Sequence, residues 1–186
     1  MQETAFAIIH TATLRLRCIE HADSAALAAL LSPDISRGLA SWPYPTTPAM
    51  MEARVESVLG PAHRGDSLPC VIERRSDAAI VGWMVLSRDR DDRRRGVLGY
   101  WVGEAFQGKG IAREAAISLI EAGFSRLDLD VIEAGAQLGN AGSFAVMRAC
   151  GMVEAGARSV YASARDRDEP CLFYELRRSG SSRSAT

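Results

Sequence analysis

The chain has 186 residues, of which 47% are hydrophobic and 24% are charged, and its formal net charge is −1. These values are typical of one globular domain and exclude the disordered and collagen-like classes. The balanced charge argues against a general nucleic-acid binder. No apolar run approaches the ~18 residues that a membrane-spanning helix needs. Four cysteines lie far apart without C-x-x-C spacing, so we predict reduced core thiols in a cytoplasmic protein without membrane contact.

The first part of the chain is predicted to form one strand and two helices. Thr13–Cys18 alternates polar and apolar residues, which is typical of a half-buried strand. Asp23 is the predicted cap of a first helix that ends at Pro33. The segment Ser41–Pro48 contains three prolines and is predicted to be an extended loop. A second helix is predicted over Ala49–Leu59 and is expected to end at the Gly60-Pro61 pair that follows.

Three strands with short connections are predicted next, and they form an antiparallel meander. The last connection contains Arg88–Arg95, with five arginines and three aspartates in eight residues. We interpret this run as a solvated hairpin tip, with an anionic contact as the alternative. The predicted strands are Leu68–Arg74, Ala79–Ser87 and Gly96–Val102.

The second part of the chain is predicted to add two helices and three strands, giving about seven strands and about four helices in all. Helices segregated around a mostly antiparallel sheet place the chain in the α+β class. We expect one domain over residues 1–178 and a disordered tail over 179–186. The remaining predicted elements are a helix over Gly110–Ser125, a strand over Asp130–Gln137, a helix over Ala141–Cys150, and strands over Met152–Tyr161 and Pro170–Arg177.

A strand, a short glycine-containing loop and a long helix follow one another between Gly99 and Ala112. The first turn of a helix carries unpaired N–H groups and the positive end of the helix dipole. Gly108 and Gly110 allow close approach of a large anion, and Lys109 adds charge, so the loop suits a phosphate or pyrophosphate. It is neither a P-loop nor a dinucleotide fingerprint, because the required spacing is absent. The alternative is a loop that only turns the chain.

Four short motifs follow one another along the chain: Thr13-Leu14-Arg15-Leu16-Arg17, then Gln107-x-x-Gly110-x-Ala112 after Gly99-Tyr100-Trp101-Val102, then Asn140-Ala-Gly-Ser143, then Cys150-Gly151-Met152. In this order they resemble the landmarks of the GCN5-related N-acetyltransferase (GNAT) family. The resemblance covers about residues 11–178, and its opening resembles the ribosomal-protein N-terminal acetyltransferase branch, the Rim type.

The resemblance implies two parallel strands that splay apart, with the pantetheine of acetyl-CoA in the gap. It also implies a bulge at Trp101–Gly103 that frees backbone groups for the pantetheine. Backbone N–H groups from Gln107 through Ala112 are expected to bind the pyrophosphate. The residues that the resemblance assigns to acetyl-CoA are Trp101, Val102, Gln107, Gly108, Lys109, Gly110, Ile111, Ala112, Asn140 and Ser143.

Acetyl transfer to an amine requires a donor for the oxyanion and a group that stabilises the departing thiolate. The strand N–H near Val102 is the predicted oxyanion donor. Ser143 is expected to donate to the sulfur, since its hydroxyl is too weak an acid to be a matched proton donor. The alternative for Ser143 is a hydroxyl that caps the helix after Asn140.

The sequence departs from the Rim-type pattern at the general base. Rim-type sequences usually have Glu-Ile-Gly-Tyr where this chain has Val97 followed by Leu-Gly-Tyr, and valine cannot accept a proton. Glu104 is a substitute candidate, although a solvated loop carboxylate is the simpler interpretation. A base is unnecessary if the amine binds neutral, and α-amino groups have a pKa near 7.7–8.0. This favours an α-amine over a lysine side chain.

Trp42 and Tyr44, between prolines, are candidates for the acceptor site, with packing over the sheet edge as the alternative. We predict direct transfer from acetyl-CoA to an amine, without metal or covalent enzyme intermediate, by a monomer or homodimer. The acceptor is a peptide or protein α-amine or, alternatively, a small amine such as an amino acid or an antibiotic. The rival from another class is a non-catalytic acyl-CoA-binding module, which the missing glutamate motivates.

Overall fold

The computed structural model describes residues 6–179, which form eight strands and five helices, together with two short 3-10 turns. The strands are β1 (Ile9–His10), β2 (Leu14–Cys18), β3 (Ser67–Arg74), β4 (Ile80–Arg88), β5 (Arg95–Val102), β6 (Val131–Gln137), β7 (Val153–Ala162) and β8 (Arg167–Arg177), and the helices are α1 (Ser24–Leu30), α2 (Pro33–Arg37), α3 (Pro48–His63), α4 (Ile111–Arg126) and α5 (Ala141–Ala149).

All eight strands belong to one sheet with the order β1-β2-β3-β4-β5-β6-β8-β7. Every neighbouring pair is antiparallel except β5 and β6, which are parallel. This arrangement confirms the predicted α+β class and the parallel pair within a mostly antiparallel sheet. The single-domain division stays a prediction, and residues 180–186 of the predicted tail lie outside the described residues.

The sheet separates two hydrophobic clusters because side chains alternate between its faces. On one face, α4 and α5 pack over apolar residues such as Leu98 and Val102 of β5. On the other face, α1 and α3 pack over a cluster that includes Trp83 and Trp101. Trp101 and Val102 are neighbours in sequence, so the end of β5 contributes a side chain to each cluster.

Helix α4 is tied at its first turn to the segment between β1 and β2. The Glu114 carboxylate accepts hydrogen bonds from the Thr11 hydroxyl at 2.5 Å, the Thr13 amide at 2.7 Å and the Thr13 hydroxyl at 2.8 Å. Desolvation raises the pKa of Glu114, but these hydrogen bonds outweigh it and hold the pKa below its ordinary value. The ionised carboxylate therefore stabilises the folded state.

The Glu114→Gln variant is expected to lose about 1 kcal/mol of unfolding free energy at pH 7, because charge-assisted bonds are replaced by weaker ones. The folded-state pKa is lowered, so this stabilisation is present above the ordinary carboxyl pKa of about 4.3 and is lost as the pH falls through the folded-state value. Urea titrations at pH 7 and pH 3.5 should show the difference from the unmodified chain shrinking on acidification. Glu121→Gln, on the exposed face of the same helix, is the control, and an equal loss there would contradict the assignment.

The structure adds two elements to those predicted, strand β1 and helix α2. Pro33 was predicted to end a helix, but it begins a new one. The Ser32 side chain accepts from the Ile35 amide at 3.2 Å as the N-cap, and proline suits the first helical position because its missing N–H needs no partner there. Helix α3 also continues to His63, beyond the predicted end at Leu59, with Pro61 inside its last turns.

Asp23 precedes α1, as predicted, but its side chain does not cap that helix. Its carboxylate instead accepts from the Glu20 amide at 2.8 Å and from both terminal nitrogens of Arg17 at 2.9 and 2.7 Å. Bonds to a guanidinium are stronger than a bond to one helix N–H, so the half-buried Arg17 determines the orientation of the buried Asp23 carboxylate.

The arginine-rich run forms the turn between β4 and β5, and its own neighbours neutralise most of its charge. Arg93 bonds Asp66 at 2.7 Å, and Arg94 bonds Asp130 through two nitrogens at 2.9 and 2.8 Å. This arrangement supports the interpretation as a solvated hairpin tip.

Candidate active site

A cleft of about 750 Å³ opens where β5 and β6 separate. The parallel pairing of these strands has three registered positions and ends at Val97 opposite Glu133. Beyond that point β5 continues against β4, and β6 continues against β8, so each strand keeps only its outer neighbour. The predicted splayed pair is therefore present, with the open edge of each strand facing the cleft.

The open edge of β5 presents backbone polar groups to the cleft. Gly103 donates to the Val81 carbonyl at 2.9 Å, and Asp89 donates to the Arg95 carbonyl at 2.8 Å, so the odd-numbered residues of β5 bond to β4. Bonding direction alternates along a strand, so Tyr100 and Val102 direct their N–H groups into the gap. The Val102 carbonyl accepts from Gln107 Nε2 at 2.9 Å. The Val102 N–H remains without a partner in the described part of the chain.

The predicted bulge at Trp101–Gly103 is wrong. Strand β5 pairs with β4 without a register shift from Gly96 to Val102. The free backbone groups arise because β6 turns away, and a β-strand that loses one neighbour exposes its bonding groups without any bulge.

The loop before α4 carries backbone amide groups without acceptors at the position of the predicted cradle, whose binding role stays a prediction. Gly108 and Gly110 have φ angles of 71° and 78°, in the left-handed region that glycine adopts without strain, and a Cβ on either would meet no protein atom within 4 Å. Within residues 6–179, the backbone N–H groups from Gly108 to Arg113 have no hydrogen-bond acceptor. Six open donors at a helix N-terminus suit a phosphate or diphosphate.

Two predicted contributors to the cradle are used elsewhere. The main-chain N–H of Gln107 donates to the Glu104 carbonyl at 3.1 Å, and its side-chain Nε2 donates to the Val102 carbonyl. Lys109 Nζ donates to the Ala105 carbonyl at 2.8 Å and lies outside the residues that line the cleft. The cation that does line this end of the cleft is Arg113, in the first turn of α4.

The start of α5 forms the opposite wall of the cleft. Asn140 caps the helix by accepting from the Ser143 amide at 3.0 Å, so the cap is the asparagine and not the serine hydroxyl. Tyr100 donates to the Ser143 carbonyl at 3.2 Å, and burial raises the pKa of Tyr100 to about 12. Ser143 lines the cleft, and its hydroxyl lies close enough to Tyr100 to oppose the rise that burial causes in the pKa of Tyr100.

Replacing Ser143 with alanine is expected to lower kcat about tenfold with little change in either KM, because a bond to a departing thiolate forms only as the C–S bond breaks. The helix cap at Asn140 does not depend on the hydroxyl, so the melting temperature should stay within about 1 °C. Steady-state kinetics and thermal melts test this pair of outcomes. Unchanged kcat would exclude thiolate stabilisation by Ser143.

Neither of the positions considered for a general base lines the cleft. Strand β5 contains no carboxylate that could take the role of the glutamate missing at Val97. Glu133, which lies beside Val97 on β6, is ion-paired to Arg95 at 2.8 Å and to Arg158. Glu104 is exposed and accepts a hydrogen bond from the Ser32 hydroxyl, which links it to the cap of α2. Both glutamates are bonded to side chains outside the cleft.

The two aromatic residues predicted for acceptor binding also lie outside this cleft. Trp42 is 9% exposed and packs edge-on against Trp83 at 5.1 Å and Trp101 at 5.5 Å between ring centroids. It has the packing role that was the alternative interpretation, and it also lines a separate cavity of about 380 Å³ beside α3. Tyr44 is 51% exposed on the loop surface.

Sequence reasoning missed three parts of the cleft wall: Arg113, helix α2 and Gln137. Helix α2 borders the cleft through residues such as Ile35, and Gly38, which follows the helix, lies beside Asn140 at the start of α5. Gln137 is the last residue of β6, and a polar residue at the end of the strand before Asn140 was the available indication.

No group of three or more His, Cys, Asp or Glu residues suited to a metal ion occurs in residues 6–179. Over the same residues, no helix combines the length and apolarity needed to cross a membrane.

A splayed parallel strand pair, a free strand N–H in the gap and an amide cradle at the next helix define the class of acyltransferases that use coenzyme A thioesters. The model of the acetyltransferase (GNAT) domain matches residues 13–153. The chain belongs to the GNAT acetyltransferase family.

Relatives and solved structures agree with this assignment. The chain is 34% identical over 80 residues to YdaF of Bacillus subtilis (strain 168), named as a candidate ribosomal N-acetyltransferase, and the match spans 43% of this chain and 44% of that protein. Its fold is similar to RimL, a ribosomal L7/L12 alpha-N-protein acetyltransferase in complex with coenzyme A, with a TM-score of 0.80, 22% identity and coverage of 92% and 98% of the two chains. It is also similar to Mycobacterium smegmatis RimJ in complex with CoA-disulfide, with a TM-score of 0.76, 23% identity and coverage of 92% and 86%.

Proposed function

We propose that the protein transfers an acetyl group from acetyl-CoA to the α-amino group at the N-terminus of a peptide or protein. The observation that carries the proposal is the set of open backbone N–H groups in one cleft, at Gly108, from Gly110 to Arg113 and at Val102. The groups in the loop and first turn of α4 suit a diphosphate, and the group at Val102 suits an oxyanion. The curated relative and the structural neighbours named above support the acetyltransferase activity.

Acetyl-CoA supplies the acetyl thioester, and the residues of the cleft bind and orient it. In the reaction, the amine nitrogen bonds to the thioester carbon, the C–S bond breaks, and the nitrogen loses a proton to solvent while the thiolate takes one up. The Val102 N–H is the proposed donor to the carbonyl oxygen as it gains charge. Ser143 Oγ is the proposed donor to the sulfur as it leaves. Holding both substrates together supplies the entropic part of the rate enhancement.

The proposed α-amine acceptor follows from the side chains that line the cleft. They include no histidine, lysine, cysteine or glutamate, and the single carboxylate among them is Asp34, which is exposed and ion-paired with Arg37. Tyr100 is no base at neutral pH, because burial raises its pKa to about 12. A cleft without a base favours an amine that is partly neutral in solution, and α-amines meet this condition far better than lysine side chains.

The proposal includes a cytoplasmic location, where acetyl-CoA and newly made N-termini occur together, and activity as a monomer or homodimer. Two measurements test it. Calorimetry with acetyl-CoA should show binding, and its absence would contradict the proposal. Release of free CoA thiol should then be followed with tetrapeptides of different first residues, a polyamine and an aminoglycoside. Turnover of the small amines alone would identify a small-molecule enzyme, and binding without turnover would identify an acyl-CoA-binding module.

A further inference from the structure

Two buried polar atoms in the wall of the cleft have no hydrogen-bond partner in the part of the chain that the structure describes. One is the indole donor Nε1 of Trp101, whose side chain is 4% exposed, and the other is the amide acceptor Oε1 of Gln137. Native proteins satisfy nearly all buried polar atoms, so an orphan pair in the wall of a ligand cleft is a candidate for hydrogen bonds to a bound molecule. Together, the two side chains offer a ligand one hydrogen-bond donor, on Trp101, and one acceptor, on Gln137.

The strand register places these two side chains opposite each other across the gap. Val97 on β5 is paired with Glu133 on β6. Trp101 and Gln137 each lie four residues further along the same strands, and both strands continue in regular register with their outer neighbours to these positions. An even number of residues keeps a side chain on the same face. Trp101 and Gln137 therefore flank the gap at one level, on the face opposite α4 and beside the free N–H of Val102.

The surroundings of Gln137 determine which end of its amide faces the cleft. Gln137 Nε2 donates to Glu169 at 3.1 Å, and the same carboxylate accepts from Arg165 at 2.8 and 2.7 Å and from Arg167 at 2.8 Å. These bonds, first of all those from Arg165, hold the pKa of Glu169 well below its usual range, so the group only accepts hydrogen bonds. The amide therefore gives its NH₂ to Glu169, which leaves its oxygen as the unpartnered atom of this cleft residue.

Arg165 also fixes the cleft wall on that side. Its Nη1 donates to the carbonyls of Ser36 at 3.1 Å and Leu39 at 3.2 Å, which joins the turn between β7 and β8 to the segment after α2. The Gln137 oxygen is thus held in a preorganised position on a connected wall. Fixed acceptors of this kind bind ligands without losing further side-chain entropy.

We propose that Gln137 and Trp101 together recognise the first residue of the acceptor, with an amine N–H donating to Gln137 Oε1 and the indole N–H of Trp101 donating to the adjacent carbonyl oxygen. The inference rests on the acetyltransferase function proposed above. A bond through the amine N–H leaves the nitrogen lone pair free to attack. The chemical class of acceptor is an α-aminoacyl group, in which amine and carbonyl share one carbon, as at a peptide N-terminus. A plain alkylamine satisfies only Gln137.

Two variants test the pair. The assays use saturating acetyl-CoA and, as acceptor, the peptide of the panel with the highest turnover. Gln137→Met keeps the side-chain length without the amide, and Trp101→Phe keeps an aromatic ring without the N–H. Each should lower kcat/KM for the peptide about tenfold, as expected for one lost hydrogen bond, and leave the KM for acetyl-CoA unchanged. Calorimetric titration of CoA-loaded protein with the same peptide should show a matching rise in Kd.

The analogue in which a methylene replaces the first carbonyl of that peptide separates the two roles. The unmodified protein should prefer the parent peptide about tenfold, Trp101→Phe should remove this preference, and Gln137→Met should weaken both compounds equally. Trp83→Phe is the matched control, since Trp83 packs in the same aromatic cluster but does not line the cleft. It should keep the preference.

The outcomes separate the inference from the function on which it rests. If the unmodified protein acetylates none of the amines, the proposed function and the inference both fail. If it acetylates the peptide but Gln137→Met stays within twofold of it, the inference alone is overturned. Loss of the carbonyl preference in Trp83→Phe as well as in Trp101→Phe would also overturn it, because the effect would then come from packing.

Discussion

Gly110→Val is expected to raise the Kd for acetyl-CoA about 100-fold, which corresponds to about 2.7 kcal/mol of binding free energy. Gly110 is the N-cap of α4 with a φ of 78°, and a Cβ there would meet no protein atom within 4 Å. The space that the valine side chain fills is therefore the open space of the cradle, above the free N–H groups of the first turn. The KM of the acceptor should change little, because the proposed acceptor contacts at Trp101 and Gln137 lie outside this loop.

Gly65→Val is the control for backbone strain. Gly65 has a φ of 72°, a Cβ there also meets nothing within 4 Å, and the residue lies in the turn after α3, away from the cleft. A non-glycine residue in the left-handed region costs about 1–2 kcal/mol, so both variants should lose similar stability in urea titrations. Calorimetry should show normal acetyl-CoA binding by Gly65→Val. Equal loss of binding in both variants would assign the effect to stability and contradict the cradle.

Elements defined by local chemistry were predictable from the sequence. The helix after Gly110 has a polar and an apolar face and follows a left-handed glycine, so its position follows from neighbouring residues, and its role at an anion site stays a prediction. Helix α2 was missed because Pro33 fits either the end of one helix or the first position of the next. The Ser32 cap decides between these, and it depends on the path of the backbone before the proline.

The parallel pair could not be derived from periodicity, because an alternating pattern fits either direction of a neighbouring strand. The family resemblance supplied it, together with a bulge that the structure does not contain. The open strand edge at Val102 therefore has a different physical cause from the predicted one, and the role of its N–H as oxyanion donor stays a prediction. The resemblance identified the binding edge, and only the register explains why it is open.

The walls of the cleft depend on contacts between distant parts of the chain, which a sequence pattern does not encode. Gln137 faces the cleft because Glu169, on the last strand, holds its amide nitrogen. Trp42 was a reasonable aromatic for a pocket mouth, but two other tryptophans enclose it. Lys109 is a similar case. A basic residue between two glycines suits a phosphate, but its ammonium group donates to the Ala105 carbonyl in the preceding turn.

The kcat/KM for a peptide α-amine is expected to exceed that for a lysine side chain by about 300-fold at pH 7.5. With pKa values near 7.8 and 10.4, about one third of the α-amine but about one in a thousand lysine amines is neutral at this pH. The residues lining the cleft offer no base to remove the extra proton. A tetrapeptide with a free N-terminus should be compared with its Nα-acetylated lysine-containing counterpart by thiol release. Comparable turnover of the two would contradict an α-amine enzyme without a base.

The pH dependence of kcat/KM should follow the acceptor and not the protein. The reactive form is the deprotonated amine, so activity should fall about tenfold per pH unit below the α-amine pKa and level off above about pH 8. Peptides whose α-amines differ in pKa should shift the profile by the same amount. Asp34→Asn removes the carboxylate that lines the cleft and should leave the profile in place, because Asp34 is ion-paired at the surface. A profile that moves with this substitution, or that ignores the pKa of the peptide, would identify a protein base and remove the physical ground for α-amine selectivity.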